Sequence, residues 1–348
     1  MGNIMDYISW RGDLSFEQSQ FNEVDNLILA CFSYVNLDGI SAVTKQKGIG
    51  LKKLTKEFMK LHTMKELEAD KSFIRLAPFM MMEMAKSVRF GKCVVRNYVN
   101  DIVTEAEQQF AAMEIVLEDG TSYVSFRGTD DTIIGWKEDF NLCFQENIPS
   151  QISALNYVNN YKTKHKLILG GHSKGANLAL YATIHTHNPI YCTYNHDGPG
   201  FLTPYQTDKK VFKTIPQSSV IGLLLEETNN YQIIQSDAIS ILQHDPFTWC
   251  VENGDFIYLE QNDQLSKHTQ STLSKWLKSI DINTRKQVID TIYSIFSDYE
   301  NPKDLRKNID MVEMVKSIQN MDSQTKKMIS GTIQVLFKCI QNEIKRGN

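Results

Sequence analysis

The feature that most constrains this chain is a serine between a short apolar run and an Ala-rich helical segment. Residues 167–170 have the length and composition of a buried strand, and residues 176–182 favour a helix. The sequence G-H-S-K-G lies between them at 171–175. In this context a G-x-S-x-G sequence forms a tight strand-to-helix turn that exposes the serine hydroxyl, and its glycines let strand and helix approach. The pattern therefore predicts that Ser173 lies on a nucleophile elbow.

Composition excludes several classes of function. The 348 residues include 37 Lys+Arg and 41 Asp+Glu, for a net charge of −4, and no basic run is long enough to follow a phosphate backbone. A nucleic-acid partner is therefore not expected. The 6 cysteines stand singly with no C-x-x-C pair, which predicts free thiols rather than a disulfide framework or a zinc site. Neither a metal nor an organic cofactor is expected.

The N-terminal residues bear on where the protein is located. They have neither the basic start nor the apolar stretch of a secretory signal, and no run in the chain approaches the length of a membrane span. These features predict a cytoplasmic protein without a membrane span. They leave open both peripheral contact with a lipid surface and the oligomeric state.

The chain divides into three stretches by pattern. Residues 1–92 alternate amphipathic and polar segments, which predicts an N-terminal helical or cap segment. Residues 93–265 carry short β-rich runs separated by helical patterns, which argues for a mostly parallel central sheet covered on both faces. Residues 266–348 are polar and predict a helical C-terminal extension. Its helices are expected at 269–280, 283–297, 309–319 and 323–345.

A second motif lies upstream of the serine. The strand-like run 122–126 leads into F-R-G-T-D at 126–130, and G-W-K-E-D-F follows at 135–140. Together with the G-H-S-x-G turn, these elements resemble the class 3, fungal-type, lipases of the α/β-hydrolase fold. The chain as a whole is more similar to a bacterial lipase-like hydrolase family of uncharacterised function. That similarity also rests on Q-Q-F-A-A at 108–112, A-N-L-A at 176–179, D-G-P-G-F at 197–201 and Q-H-D-P-F at 243–247.

The resemblance implies an α/β-hydrolase fold and an oxyanion hole. In the lipases the residue after F-R-G supplies an N–H to the oxyanion, and this role transfers to Thr129. The backbone N–H of Lys174, next to the serine, is expected to be the second donor. The chain departs from the lipases at Lys174 and Ala176, where they usually have Leu and Gly. Asp139 is interpreted as structural, with Arg127 as its expected partner.

A reactive serine also needs a base and an acid. In this fold both follow the serine in the chain. His244 precedes an aromatic-containing turn, as in the lipases, and is predicted to be the base. Asp197 opens a turn after a strand and belongs to the family motif, which favours it as the acid. Asp237, which follows the next strand as the acid of class 3 lipases does, stays the alternative.

These residues together predict a serine hydrolase that cleaves a carboxylic ester, with a small-molecule or lipid-like acyl ester as its substrate. The same machinery serves thioesters and amides, so a thioesterase or amidase is an alternative. A catalytically inactive binding or scaffold protein that keeps the fold is another. The Met-rich residues 79–84 are interpreted as a core helix or as the cap of an acyl pocket.

Overall fold

The computed structural model describes residues 1–70, 72–130, 132–161, 165–226, 228, 230–279, 281–296 and 323, without the side chains of residues 133, 265, 268, 269, 272–274, 276, 288 and 291–296. The predicted helices 309–319 and 323–345 and Cys339 lie outside the described residues, apart from Ser323. The cysteines that are described are buried free thiols. No helix in the described ranges is long and apolar enough to cross a membrane.

Most strands lie in one central sheet. The described strands are β1 (Ile49–Gly50), β2 (Val94–Val103), β3 (Gln108–Val116), β4 (Ser122–Phe126), β5 (Leu167–His172), β6 (Cys192–His196), β7 (Val211–Pro216), β8 (Gln232–Ile234), β9 (Val251–Glu252), β10 (Asp255–Phe256) and β11 (Tyr258–Leu259). Nine of them form a sheet in the order β1-β2-β3-β4-β5-β6-β7-β8-β11, and β9 pairs with β10 separately.

The sheet is mixed, so the prediction of a mostly parallel sheet is wrong. Each strand from β4 to β8 is parallel to the next. The pairs β1–β2, β2–β3, β3–β4 and β8–β11 are antiparallel. The reason lies in the connections. Residues 104–107 between β2 and β3, and 117–121 between β3 and β4, are too few for the crossover that parallel neighbours require.

Helices cover both faces of the sheet. The described helices are α1 (Ile4–Arg11), α2 (Glu23–Phe32), α3 (Leu51–Leu61), α4 (Met64–Ala69), α5 (Ala77–Lys86), α6 (Ile133–Asn141), α7 (Pro149–Asn159), α8 (Lys174–His185), α9 (Gln264–Ser279) and α10 (Ile282–Phe296). Helix α2 packs on β4, β5 and β6 from one side, and α8 packs on the same strands from the other. Helix α6 contacts β3, and α10 contacts α6.

Every residue of the central strands β4, β5 and β6 is buried, because helices cover both faces of the sheet. Successive strand residues point to opposite faces of a sheet. In β5, Leu167 and Leu169 belong to the hydrophobic cluster that includes residues of α7 and α8, whereas Ile168 belongs to the cluster formed with the N-terminal helices. Met80 and Met84 of α5 are fully buried in the cluster formed with the N-terminal helices. The Met-rich segment is therefore a core helix.

Strand β7 carries a charged residue inside the sheet. Lys213 interrupts its apolar run, and a charged residue ordinarily indicates an exposed position. In the structure the Lys213 ammonium is buried beside the Glu226 carboxylate, which is buried as well. The strand therefore continues through the interior, and only the partner, which is distant in the sequence, makes this position acceptable.

A buried ion pair joins two parts of the N-terminal helical layer. The side chains of Asp25, on α2, and Arg89, just after α5, are both completely buried and form an ion pair. The hydroxyl of Tyr7 donates to Asp25 Oδ1 at 3.0 Å. The Arg89 guanidinium also donates to backbone carbonyls of the loop between α1 and α2, including Ser19 O at 2.9 Å. This network fixes α1, α2 and the end of α5 together.

We expect Arg89→Met to lower the free energy of unfolding by about 3–5 kcal/mol, because it leaves the Asp25 carboxylate buried without its cation. The control is Lys86→Met, which removes the exposed ion pair with Glu83 and should change stability by less than about 1 kcal/mol. Urea unfolding of both variants measures the difference. Equal effects of the two substitutions would show that the buried pair contributes no more than a surface pair.

Candidate active site

Ser173 stands on a turn between β5 and α8. Its backbone has φ 59° and ψ −133°, a conformation that residues other than glycine rarely adopt. The two glycines of the motif make the turn sterically feasible. A Cβ on Gly171 would lie 2.4 Å from the carbonyl carbon of Gly175, and a Cβ on Gly175 would lie 2.1 Å from Phe126 O. The serine side chain is partly exposed, as the elbow prediction requires.

His244 links Ser173 to Asp197 through hydrogen bonds at both ring nitrogens. Its Nε2 lies 2.9 Å from Ser173 Oγ, and its Nδ1 lies 2.6 Å from Asp197 Oδ2. Because a carboxylate only accepts hydrogen bonds, the ring proton belongs on Nδ1, and Nε2 is free to accept the serine proton. The His244 side chain is 17% exposed and that of Asp197 is 1% exposed, so the carboxylate lies in the interior and the imidazole at the surface of the site.

The Asp197 carboxylate is held by several contacts besides the histidine. Its Oδ1 accepts hydrogen bonds from Ser219 Oγ at 2.5 Å and from the amide of Gly222 at 3.1 Å. Its backbone φ is 51°, and its own amide donates to Thr214 O at 2.8 Å. These contacts point one carboxylate oxygen at His244 and satisfy the other.

The structure separates the two candidates for the acid. Asp197 follows β6 directly and bonds to His244. Asp237 lies in the loop after β8, where its backbone amide donates to Thr248 O at 3.0 Å and its side chain is exposed. The structure therefore brings the favoured candidate to the ring and leaves the alternative in solvent.

Thr129 and Lys174 lie on segments that pack against each other. Lys174 is the first residue of α8, and the amides of a helix's first turn have no acceptor within the helix. The loop that carries Thr129 follows β4, whose last residue pairs with Gly171. A Cβ on Gly128 would lie 2.7 Å from His172 O, so this loop runs directly alongside the elbow.

Asp139 does not pair with Arg127, and that prediction is wrong. The hydroxyl of Thr129 donates to Asp139 Oδ2 at 2.5 Å, while Arg127 bonds to Asn100 and Asp130. Burial raises the pKa of Asp139 to about 6, although the Lys174 ammonium and the Thr129 hydrogen bond act in the opposite direction. The carboxylate thus anchors the loop through its threonine rather than through its arginine.

His172 supports the backbone of His244 from beneath. Its ring is fully buried, Nε2 lies 2.9 Å from the backbone oxygen of His244, and Nδ1 lies 2.9 Å from the hydroxyl of Tyr34. Burial lowers the pKa of His172 well below its ordinary value, and the neighbouring His244 acts in the same direction. A carbonyl oxygen only accepts, so the proton belongs on Nε2 and Tyr34 donates to Nδ1. The neutral ring thereby fixes the backbone of His244.

Two aromatic residues of the site come from the N-terminal stretch, and the sequence pattern missed both. Tyr34 follows α2 and bonds to His172. Phe73 precedes α5 and stacks on His244, with ring centroids 5.7 Å apart and planes inclined by 25°. Neither belongs to a sequence motif, and each is more than 90 residues from its partner.

His185 and His187, the other histidines soon after the elbow, are exposed, and the side chain of His268 lies outside the described residues.

The side chain of Lys174 points into the interior. It is 1% exposed, and its Nζ donates to Glu138 Oε2 at 2.8 Å and to Gln109 O at 3.0 Å. A lysine next to a serine on a surface turn would ordinarily be interpreted as exposed. The sequence offered one signal that this side chain is unusual: Lys174 stands where class 3 lipases usually have an apolar leucine.

The fold and the site together define a class: an α/β protein with a hydrogen-bonded Ser-His-Asp arrangement at a strand-to-helix turn. The sequence model of the Mbeg1-like family matches residues 84–294. That span is more than half of the chain and contains all three side chains. The protein therefore belongs to the Mbeg1-like family.

Two solved structures of lipases are similar to this chain. One is Lip2 lipase from Yarrowia lipolytica, at 13% identity and a TM-score of 0.28, covering 50% of this chain and 76% of the lipase. The other is M37 lipase, at 13% identity and a TM-score of 0.35, covering 59% of this chain and 70% of the lipase. No curated protein sequence matches the chain.

We expect Gly175→Ala to lower the free energy of unfolding by about 3 kcal/mol, because the new methyl group would overlap backbone atoms of β4 that cannot move independently of the sheet. Gly50→Ala is the matched control, since a Cβ there meets no atom within 4 Å. Its expected effect is within about 1 kcal/mol. Urea unfolding compares the two. Wild-type stability in Gly175→Ala would disprove the close backbone packing at the turn.

Proposed function

We propose that this protein is a serine hydrolase of the α/β-hydrolase type that cleaves a carboxylic ester through an acyl-enzyme. The observation that supports the proposal is the pair of hydrogen bonds at His244, 2.9 Å to Ser173 Oγ and 2.6 Å to Asp197 Oδ2. A serine, a histidine and a buried carboxylate joined in this order form an arrangement that activates a hydroxyl at neutral pH.

The hydrogen bonds define the path of one proton. As Ser173 Oγ attacks the ester carbonyl carbon, His244 Nε2 takes the hydroxyl proton, and the Asp197 carboxylate stabilises the resulting imidazolium. When the tetrahedral intermediate collapses, His244 returns the proton to the departing alcohol oxygen. In the second half-reaction a water molecule replaces the alcohol, His244 accepts its proton, and the carboxylic acid leaves as Ser173 Oγ is reprotonated.

The former carbonyl oxygen carries the negative charge of the tetrahedral intermediate, and hydrogen-bond donors must point at it. We assign these to the backbone amide of Lys174, at the positive end of α8, and to Thr129 on the adjoining loop. Each such donor stabilises the transition state by roughly 3 kcal/mol. The hydrogen bond from the Thr129 hydroxyl to Asp139 holds this loop against α6.

The proposed substrate is an acyl ester, either a small molecule or lipid-like. Phe73 stacks on the ring of His244 and so places an apolar group beside the reacting atoms. An apolar neighbour suits an acyl chain better than a charged substituent. The same residues would also open a thioester or an amide, and comparing p-nitrophenyl ester, thioester and anilide substrates of equal chain length would rank these bonds.

A fluorophosphonate probe tests for an activated serine. We expect the wild-type protein to be labelled covalently and Ser173→Ala not to be labelled. The labelling rate of His244→Ala should be lower than that of the wild type by about 10²-fold or more, because no base removes the hydroxyl proton. In-gel fluorescence measures the labelling, and circular dichroism verifies that each variant is folded. A folded wild-type protein that stays unlabelled, or labelling that persists in Ser173→Ala, would refute the proposal and favour a non-catalytic binding protein.

Substitution of the two aspartates assigns the acid. Asp197→Asn keeps the shape of the side chain but can donate to Nδ1 and hold the ring in the wrong tautomer, so we expect kcat to fall by about 10³–10⁴. Asp237→Asn should leave kcat within about twofold, because an exposed surface substitution seldom has a large effect. Ester hydrolysis under saturating substrate measures both. The reverse pattern of losses would make Asp237 the acid.

A further inference from the structure

The interior of the protein holds a charged group directly behind the proposed oxyanion hole. Lys174 Nζ makes three hydrogen bonds, to Glu138 Oε2 at 2.8 Å, to Gln109 Oε1 at 2.9 Å and to Gln109 O at 3.0 Å. The side chains of Lys174 and Glu138 are 1% and 0% exposed. Burying two charges costs free energy, and only good geometry with further hydrogen bonds offsets that cost.

The Glu138 carboxylate is satisfied from three different elements. Besides the lysine on α8, its Oε2 accepts from the amide of Gln109 on β3 at 3.0 Å, and its Oε1 accepts from the amide of Ser150 on α7 at 2.9 Å. The position of the carboxylate is thus set from several directions. Through it, the first residue of α8 has a defined position relative to α6.

The next residue of α6 holds the other side of the oxyanion hole. Asp139 Oδ2 accepts from the hydroxyl of Thr129 at 2.5 Å. A short path of contacts therefore runs from Lys174, whose amide is one proposed donor, through Glu138 and Asp139 to Thr129, which carries the other. Helix α6 thus connects the two proposed donors, which lie at the start of α8 and on the loop after β4.

We propose that the Lys174–Glu138 ion pair is a positioning pair that sets the separation between the Lys174 amide and Thr129. This inference rests on the proposed hydrolase function. Three directional hydrogen bonds fix the lysine where an apolar side chain would permit several orientations. A displacement of about 1 Å in a donor can reduce the rate by about 10²-fold, so the pair acts on kcat while substrate binding is unaffected.

The neighbouring Lys137 provides a matched control on the same helix. Its Nζ bonds to Asp290 Oδ1 on α10 at 2.6 Å and lies 3.9 Å from Glu107 Oε1. This pair joins α6 to α10. Asp290→Asn should therefore leave kcat within twofold of the wild-type value.

The decisive variant is the double substitution Lys174→Leu with Glu138→Leu. Replacing both charges with apolar groups leaves no unpaired buried ion, although the amides of Gln109 and Ser150 lose their acceptor. We therefore expect a urea midpoint above that of Lys174→Leu alone and below the wild-type value. We expect kcat for an ester that the wild type hydrolyses to stay 10-fold to 100-fold low, at an unchanged KM. A kcat that recovers together with stability would mean that the pair is merely structural, and would overturn the inference.

Glu138→Gln provides a second variant in case the double variant does not fold. A glutamine amide would turn its NH₂ toward the ammonium of Lys174 or the amide of Ser150, both of which are donors, so at least one contact is lost. We expect a fall in kcat with KM unchanged, and a wild-type kcat in folded Glu138→Gln would overturn the inference. A wild-type protein without any hydrolysis would refute the proposed function, and this inference with it. Normal wild-type hydrolysis combined with fully active variants would refute the positioning role alone.

Discussion

Backbone packed directly on backbone at residues 171–175 is the constraint on which the rest of the site depends. Gly171, Gly175 and the end of β4 leave no room for a side chain between them. That approach places Ser173 at the carboxyl end of the central strand β5, with a positive φ. Because β4 and β6 are the two neighbours of β5, the loops that follow them carry Thr129 and Asp197 to the two sides of the serine.

The site is completed by parts of the chain that carry none of the recognisable motifs. Tyr34 fixes the neutral ring of His172, which in turn holds the backbone of His244, and Phe73 stacks on the ring of His244. All of α2 apart from Glu23 is buried, and its packing on β4, β5 and β6 makes the N-terminal helices part of the same core as the strands. The position of the histidine therefore depends on residues that precede the central strands.

Charges in the interior occupy positions whose partners a single sequence does not reveal. Lys213 in β7, Lys174 on the elbow and Asp139 on α6 all carry a charge, and all three lie in or against the core. A single sequence indicates the charge of a residue but not its partner, so such positions are interpreted as exposed or are given the wrong partner. For the same reason Arg127 was assigned to Asp139, when Asn100 and Asp130 lie beside it.

The sequence by itself determined the strand-serine-helix turn and the order in which Ser173, Asp197, Asp237 and His244 follow one another, because these are local properties of glycine, apolar runs and motif spacing. Only the tertiary structure shows that Asp197, and not Asp237, reaches His244, because this depends on the path of the chain after β6 and β8. It also decided that the sheet is mixed, since pairing direction depends on how the chain returns to the sheet. The ion pair of Lys174 with Glu138 likewise exists only in the folded molecule, where α6 and α8 are brought together through space.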